Sequence, residues 1–190
     1  MLCLIILTKT QFLVNRAKLA QGKVADSNGG YLKPASLMYA LKWDCELESA
    51  AYIHATACSL QMSAPSTRPG IGENIFTASN RDLNHITMAE LATQIWWTVP
   101  TKFNLNNTRY MEMDADLFPA WSQAVWSETS RVGCYSYACP NGRFLVCRYA
   151  EGGNIIGKSI YRIGVLCSTC THFCVDDSSS VYYGLCVTSD

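Results

Sequence analysis

The sequence predicts an α+β fold held together by disulfides. Three observations point to it: segments whose apolar and small residues recur at helical spacing between capping and stop signals, a pair of β-rich runs flanking Asn141-Gly142, and ten cysteines in 190 residues. A chain of this length suits one domain with an appendage and is long enough to bury a real hydrophobic core.

Thr10 to Gln21 reads as the first helix, with Gly22 as its stop and Arg16 and Lys18 near the end, where cations complement the dipole. Ser27-Asn28-Gly29-Gly30 is a turn. A longer helix starts at Asp44, a capping residue, with Glu46 and Glu48 in its first turn and Leu47, Ala50, Ala51, His54, Ala57 and Cys58 at helical spacing. Ser63 to Gly70 is a loop, and Gly72 to Phe76 enters extended structure. Thr87 and Glu90 form a capping-box pattern for the next helix, with Met88, Leu91, Ile95 and Val99 as its buried stripe and Pro100 as its end. Thr101 to Leu117 has no clear period and carries a glycosylation sequon at Asn106. Pro119 fits the first turn of a short helix running to about Ser127. The hairpin follows, and a two-residue turn at Asn141-Gly142 would set Cys147 opposite Ser136, which predicts a looser connection or a bulge if Cys147 is to meet Cys134. After Ile160 the chain becomes a loop-rich tail with four cysteines, too poor in apolar residues to fold without crosslinks.

Composition narrows the function. Lys plus Arg equals Asp plus Glu at 15 each, so no global field draws the chain to nucleic acid or an anionic membrane. The even, high cysteine count favours an oxidising, extracellular compartment. Met1 to Leu7 is apolar but far short of the ~20 residues of a membrane span, and it lacks a basic leader and cleavage site, as expected of the stub of a processed or engineered start.

Two blocks carry a family resemblance. Pro119-Ala120-Trp121-Ser122-Gln123-Ala124-Val125-Trp126 with Val132-Gly133-Cys134 resembles the first signature of the CAP superfamily, the cysteine-rich secretory, antigen-5 and pathogenesis-related proteins. Phe144-Leu145-Val146-Cys147-Arg148-Tyr149 with Gly153-Asn154-Ile155 resembles the second. Arg16-x-x-Leu19-Ala20-x-Gly22, Trp43-Asp44 and Gly72-Glu73-Asn74 fall in family order, and the texture is similar to the nematode ancylostoma-secreted, venom-allergen-like members. The resemblance implies a three-layer α/β/α sandwich, here a CAP domain over residues 1–160 with a disulfide-rich extension over 161–190. It also implies pairing of Cys58 with Cys139, Cys134 with Cys147, Cys167 with Cys174 and Cys170 with Cys186, which leaves Cys3 for Cys45. Strand parity agrees, because Cys134 and Cys139 point to opposite faces of a regular strand.

Family members carry two histidines and two glutamates in a central cleft, a set suited to zinc. The corresponding positions here are Met62, Glu73, Val99 and Ala120. One carboxylate beside a thioether, an isopropyl and a methyl group supplies one ligand where zinc needs three or four, so no metal, no cofactor and no catalytic residue is expected there. Glu73 is expected to bond backbone amides and hold the cleft loop. His54 reads as a packing residue, and His85 and His172 have no spaced partner. Glu112, Asp114 and Asp116 alternate as an extended run would, a weak calcium pattern beside a solvated acidic one. Cys167, Cys170 and Cys174 have zinc-knuckle spacing, weighed against disulfides, and Ser122 and Ser127 lack a nucleophile elbow and a placed histidine.

The function the resemblance implies is that of a secreted, non-enzymatic, host-interacting and immune-modulating protein of a parasitic nematode. Its partners would be sterols, fatty acids and a host protein receptor. The lipid-binding residues would lie in the aromatic segment from Trp97 to Tyr110, with Trp97, Phe103 and Tyr110 as the candidates. Two alternatives stand beside this: a protein ligand that binds no small molecule, and a cleft hydrolase or protease.

Overall fold

The computed structural model of the chain describes residues 8–101, 108–111 and 113–189. Helix α1 (Thr8–Ala20) ends where Gly22 takes the left-handed conformation at φ +67. Strands β1 (Ala35–Leu37) and β2 (Lys42–Trp43) lead to α2 (Cys45–Thr56), whose cap is Asp44: its Oδ1 accepts from the amides of Glu46 at 2.9 Å and Leu47 at 3.0 Å. Then come β3 (Gly72–Ala78), α3 (His85–Trp96), the one-turn α4 (Asp114–Leu117), α5 (Pro119–Ala124) and the hairpin β4 (Arg131–Cys139) and β5 (Gly142–Ala150). Three two-residue strands, β6 (Arg162–Ile163), β7 (Phe173–Cys174) and β8 (Cys186–Val187), lie in the tail.

The central sheet has the order β2-β4-β5-β3, with only the β2–β4 pair parallel. Side-chain alternation along β5 divides the molecule into layers. Phe144 and Val146 pack with Cys139 against Ala51 and Ala55 of α2. Leu145, Cys147 and Tyr149 face the larger core, with Phe12 of α1, Met88 and Ala92 of α3, and Trp121 and Val125 at α5. The fold is therefore the expected three-layer α/β/α sandwich. The α2 layer comes very close to the sheet at Gly133, where a Cβ would stand 2.2 Å from the Glu48 amide nitrogen and 2.6 Å from the Asp44 carbonyl.

Several local expectations need correction. The cap of α3 is Asn84, not Thr87; its Oδ1 accepts from the Thr87 amide at 2.9 Å. The buried face is Met88, Ala89, Ala92, Thr93 and Trp96, while Leu91 is half-buried, Ile95 is 52% exposed and Val99 lies beyond the helix in a short 3₁₀ turn that includes Pro100. Small alanines face the core and let α3 approach closely, so the largest apolar side chains are not all on its inner face. The hairpin turn is tight but sits one residue earlier than expected, at Pro140-Asn141, with Cys139 opposite Gly142. That one-residue move shifts the register by two and sets Cys134 directly opposite Cys147 without a bulge. Arg16 does not serve the dipole of its own helix: its side chain crosses the core and donates to four carbonyls of other segments.

Disulfides join Cys58 to Cys139, Cys134 to Cys147, Cys167 to Cys174 and Cys170 to Cys186. Cys45 is disulfide-bonded, and Cys3, its expected partner, lies outside the described residues. The tail packs on the body: β6 pairs with β1, Leu185 and Cys186 are fully buried, and Cys186 exchanges 2.8 Å backbone bonds with Met38 and Ala40.

Candidate functional site

The cleft positions do not assemble a ligand set. Along β3, Gly72 and Asn74 face α5, and the Asn74 amide donates to the Ala120 carbonyl at 2.8 Å and to Tyr149 Oη at 3.2 Å. Glu73 therefore points to the other face, toward α2. Its carboxylate, 3% exposed as a residue, accepts from the Ser63 amide at 2.7 Å and from Ser63 Oγ at 3.0 Å on each oxygen. Arg148 Nε stands 3.2 Å away as an ion pair whose N–H is not aimed at an acceptor, Arg68 Nε lies at 3.8 Å and His54 Nε2 at 3.9 Å. Met62 is 49% exposed, and Val99 and Ala120 are half-buried with no polar side-chain atom to offer. A carboxylate already engaged by a serine and two guanidiniums, with Met, Val and Ala at the other positions, does not fit zinc or another divalent ion.

Ser63, Arg68 and Arg148 went unrecognised in the sequence as partners of Glu73. Arg148 is directly opposite Glu73 in the β3–β5 ladder, which becomes visible only with the register. Arg68 lies five residues past Ser63, and its Nε donates to Ser63 Oγ at 3.1 Å, its Nη1 to the Ile71 carbonyl at 2.7 Å. Those bonds fold the loop after α2 over the carboxylate. Glu48, read in the sequence only as an acidic residue of the first helical turn, is buried and accepts from Trp43 Nε1 at 2.6 Å.

The other candidates separate cleanly. His54 bonds the Gln61 carbonyl at 2.9 Å and packs edge-on against Phe144. His85 shares a 3.0 Å hydrogen bond with Ser136, and burial, then the nearby Arg143, lower its pKa against a small opposing effect of Glu48. Glu112 lies outside the described residues, while Asp114 and Asp116 sit in the one-turn α4, so the extended alternation does not hold. Asp114 Oδ2 accepts from the Met111 amide at 2.7 Å instead. Among the described residues, the metal-spaced cluster is Cys167, Cys170 and Cys174, and every sulfur in it is committed to a disulfide. Ser122 is buried and donates to Phe118 O and Asn154 Oδ1, and Gln123 accepts from the Gly153 amide at 2.8 Å. The first signature is thereby bolted to the second as scaffold.

The aromatic segment is changed most by the structure. Trp96 is core, 6.2 Å from Phe12, and Trp97 is half-buried at the end of α3. Phe103 and Asn106 lie outside the described residues. Tyr110, expected to face a ligand, is 2% exposed and packs edge-on against Trp126 at 6.2 Å. Its backbone is stitched to Lys158 and Gly157 by 2.8 Å bonds, which anchors the returning end of the segment in the core. Burial chiefly raises the Tyr110 pKa, with Asp114 and Asp116 adding to it against a hydrogen bond to Ser122.

A four-stranded sheet between helical layers, a crosslinked hairpin and a disulfide-rich tail define a disulfide-braced α/β/α sandwich whose two signature blocks serve as framework. The family model described as "CAP: Cysteine-rich secretory protein family" matches residues 13–149, and the chain belongs to that family. It is similar to the Ancylostoma secreted protein of Ancylostoma caninum, 33% identical over 176 residues, covering 90% of this chain and 41% of that relative. The chain thus spans about two fifths of that relative's length. The crystal structure of NaASP2 with Zn2+ superposes with a TM-score of 0.86 at 32% identity, covering 94% of this chain and 92% of that one. BmVAL-1 superposes with a TM-score of 0.80 at 25% identity over the full length of both chains. No helix among the described residues is long and apolar enough to cross a membrane.

Proposed function

We propose that this chain is a secreted, non-enzymatic CAP protein of a parasitic nematode that binds sterol and fatty acid and acts in host interaction and immune modulation. The observation that carries the non-enzymatic part is the engagement of Glu73. Its oxygens accept from Ser63 and lie beside Arg68 and Arg148, which supports reading it as a structural carboxylate rather than a free base or a metal ligand. The zinc in the NaASP2 structure belongs to that protein.

The lipid reading rests on the segment that leaves α3. Trp97 stands half-buried at its root, and with Tyr110 in the core the ligand contacts pass to Trp97 and Phe103. The test is cholesterol and palmitate binding by wild type, Trp97→Ala, Phe103→Ala and Tyr110→Phe. Saturable sterol binding that Phe103→Ala weakens and Tyr110→Phe leaves intact supports the reading. A wild type with no saturable binding of either lipid overturns it in favour of a protein ligand that acts directly on a host receptor.

A further inference from the structure

A crevice of about 460 Å³ opens between the disulfide-rich tail and the end of the sheet, with neither Glu73 nor a residue of the aromatic segment in its lining. Leu37 aside, its lining side chains carry hydrogen-bonding groups: the hydroxyls of Tyr39, Ser130, Thr169, Thr171 and Thr188, the carboxylates of Glu128 and Glu151, and the Arg162 guanidinium. A smaller cavity of about 220 Å³ shares Glu128 and Arg162 and adds Lys158 with two serines. The first volume alone is within the roughly 300–1,000 Å³ of small-molecule sites.

One crosslink pre-organises the side built by Tyr39, Thr169 and Thr171. Thr169 and Thr171 flank Cys170, which is bonded to Cys186. Cys186 is tied by backbone bonds to Met38 and Ala40 on either side of Tyr39, and Tyr39 Oη shares a 3.0 Å hydrogen bond with Thr171 Oγ1. The lining also holds Glu151, hydrogen-bonded by Ser130 at 3.2 Å, and the exposed Arg162–Glu128 pair at 3.4 Å. That solvent-screened pair holds its geometry weakly, leaving both groups able to turn to a ligand. Fixed hydroxyls lower the ordering cost of binding.

We propose that this crevice binds a neutral oligosaccharide. Sugar hydroxyls donate and accept together, which matches a wall of carboxylate acceptors, a guanidinium donor and hydroxyls of both kinds. Two carboxylates against one guanidinium leave the crevice no excess of positive charge to draw a polyanion, and its mixed polar and apolar surface suits both the hydroxyls and the C–H faces of a sugar.

The test is calorimetry on the full chain with mannotriose, chitotriose and lactose, and a heparin hexasaccharide as the anionic comparator. Glu151→Gln, Arg162→Ala and Thr171→Val are run beside wild type, each checked by its thermal melt. The expected result is saturable binding of at least one neutral sugar at millimolar affinity or tighter, weakened about tenfold in Glu151→Gln and Arg162→Ala through loss of a charge-assisted hydrogen bond. Absence of neutral-sugar binding up to about 10 mM overturns the proposal. So does heparin binding as tight as any neutral sugar, or unchanged affinity in the folded variants.

Discussion

Replacing Arg16 with methionine tests how the layers are joined. The guanidinium is fully buried and donates to the carbonyls of Tyr39 at 2.9 Å, Ala124 at 2.9 Å, Trp126 at 3.0 Å and Thr129 at 3.1 Å. It thus ties α1 to the segment before β2 and to the turns between α5 and β4. Burial pushes its pKa down to about 9, with a smaller opposing effect from Tyr149, so it remains charged at neutral pH. Methionine keeps much of the volume but removes every donor. The Trp126 carbonyl retains the Thr129 amide at 3.1 Å, while the Tyr39, Ala124 and Thr129 carbonyls lose the donor Arg16 supplies. Each stranded buried carbonyl costs about 1–3 kcal/mol, partly offset because a charge no longer has to be desolvated. The net expectation is a loss of about 4 kcal/mol, a large share of the 5–15 kcal/mol of a typical domain. With disulfides intact and a urea m-value of about 2 kcal/mol/M, the unfolding midpoint falls by about 2 M. Arg16→Lys, with three donors on one atom, recovers less than half of that. A loss below about 1 kcal/mol in Arg16→Met would refute the claim that these bonds join the layers.

Three further outcomes are expected of the same packing. Gly133→Ala drives a methyl into the α2 backbone and is expected to cost about 2–3 kcal/mol, a fall in Tm of about 5–10 °C by calorimetric scan; an unchanged Tm would mean that α2 is not seated there. Burial pushes the Tyr161 phenol up to about 12 and raises Tyr149, where an Asn74 hydrogen bond and Arg16 oppose the shift. A raised folded pKa gives stability that is complete below the unfolded value of 10 and is lost as pH climbs toward 12. Urea stability should therefore fall across that window, less steeply in Tyr161→Phe, and identical slopes would contradict the assignment. Zinc calorimetry should show no stoichiometric binding at the cleft, whereas micromolar binding abolished by Glu73→Ala would reverse the reading of Glu73.

The sequence alone determined what depends on neighbours a few residues apart. Asp44 as a cap, Gly22 as a stop, Pro119 at the start of α5 and the opposite facing of Cys134 and Cys139 all follow from local backbone geometry. The family signatures were legible too, and with them the expectation that Met62, Val99 and Ala120 stand at positions where the resemblance implies cleft ligands. Tertiary structure decided the rest. Whether the hairpin turns at Pro140 or at Asn141 is a small local difference, settled by the pairing of β5 with both β4 and β3. The carbonyls around Arg16 lie up to 113 positions along the chain. Arg148 meets Glu73 across a strand ladder, and Tyr110 enters the core because Gly157 and Lys158 hold its backbone. The physical reason is range: caps and stops are energies of one turn, whereas burial and polar pairing depend on which distant segments share a face.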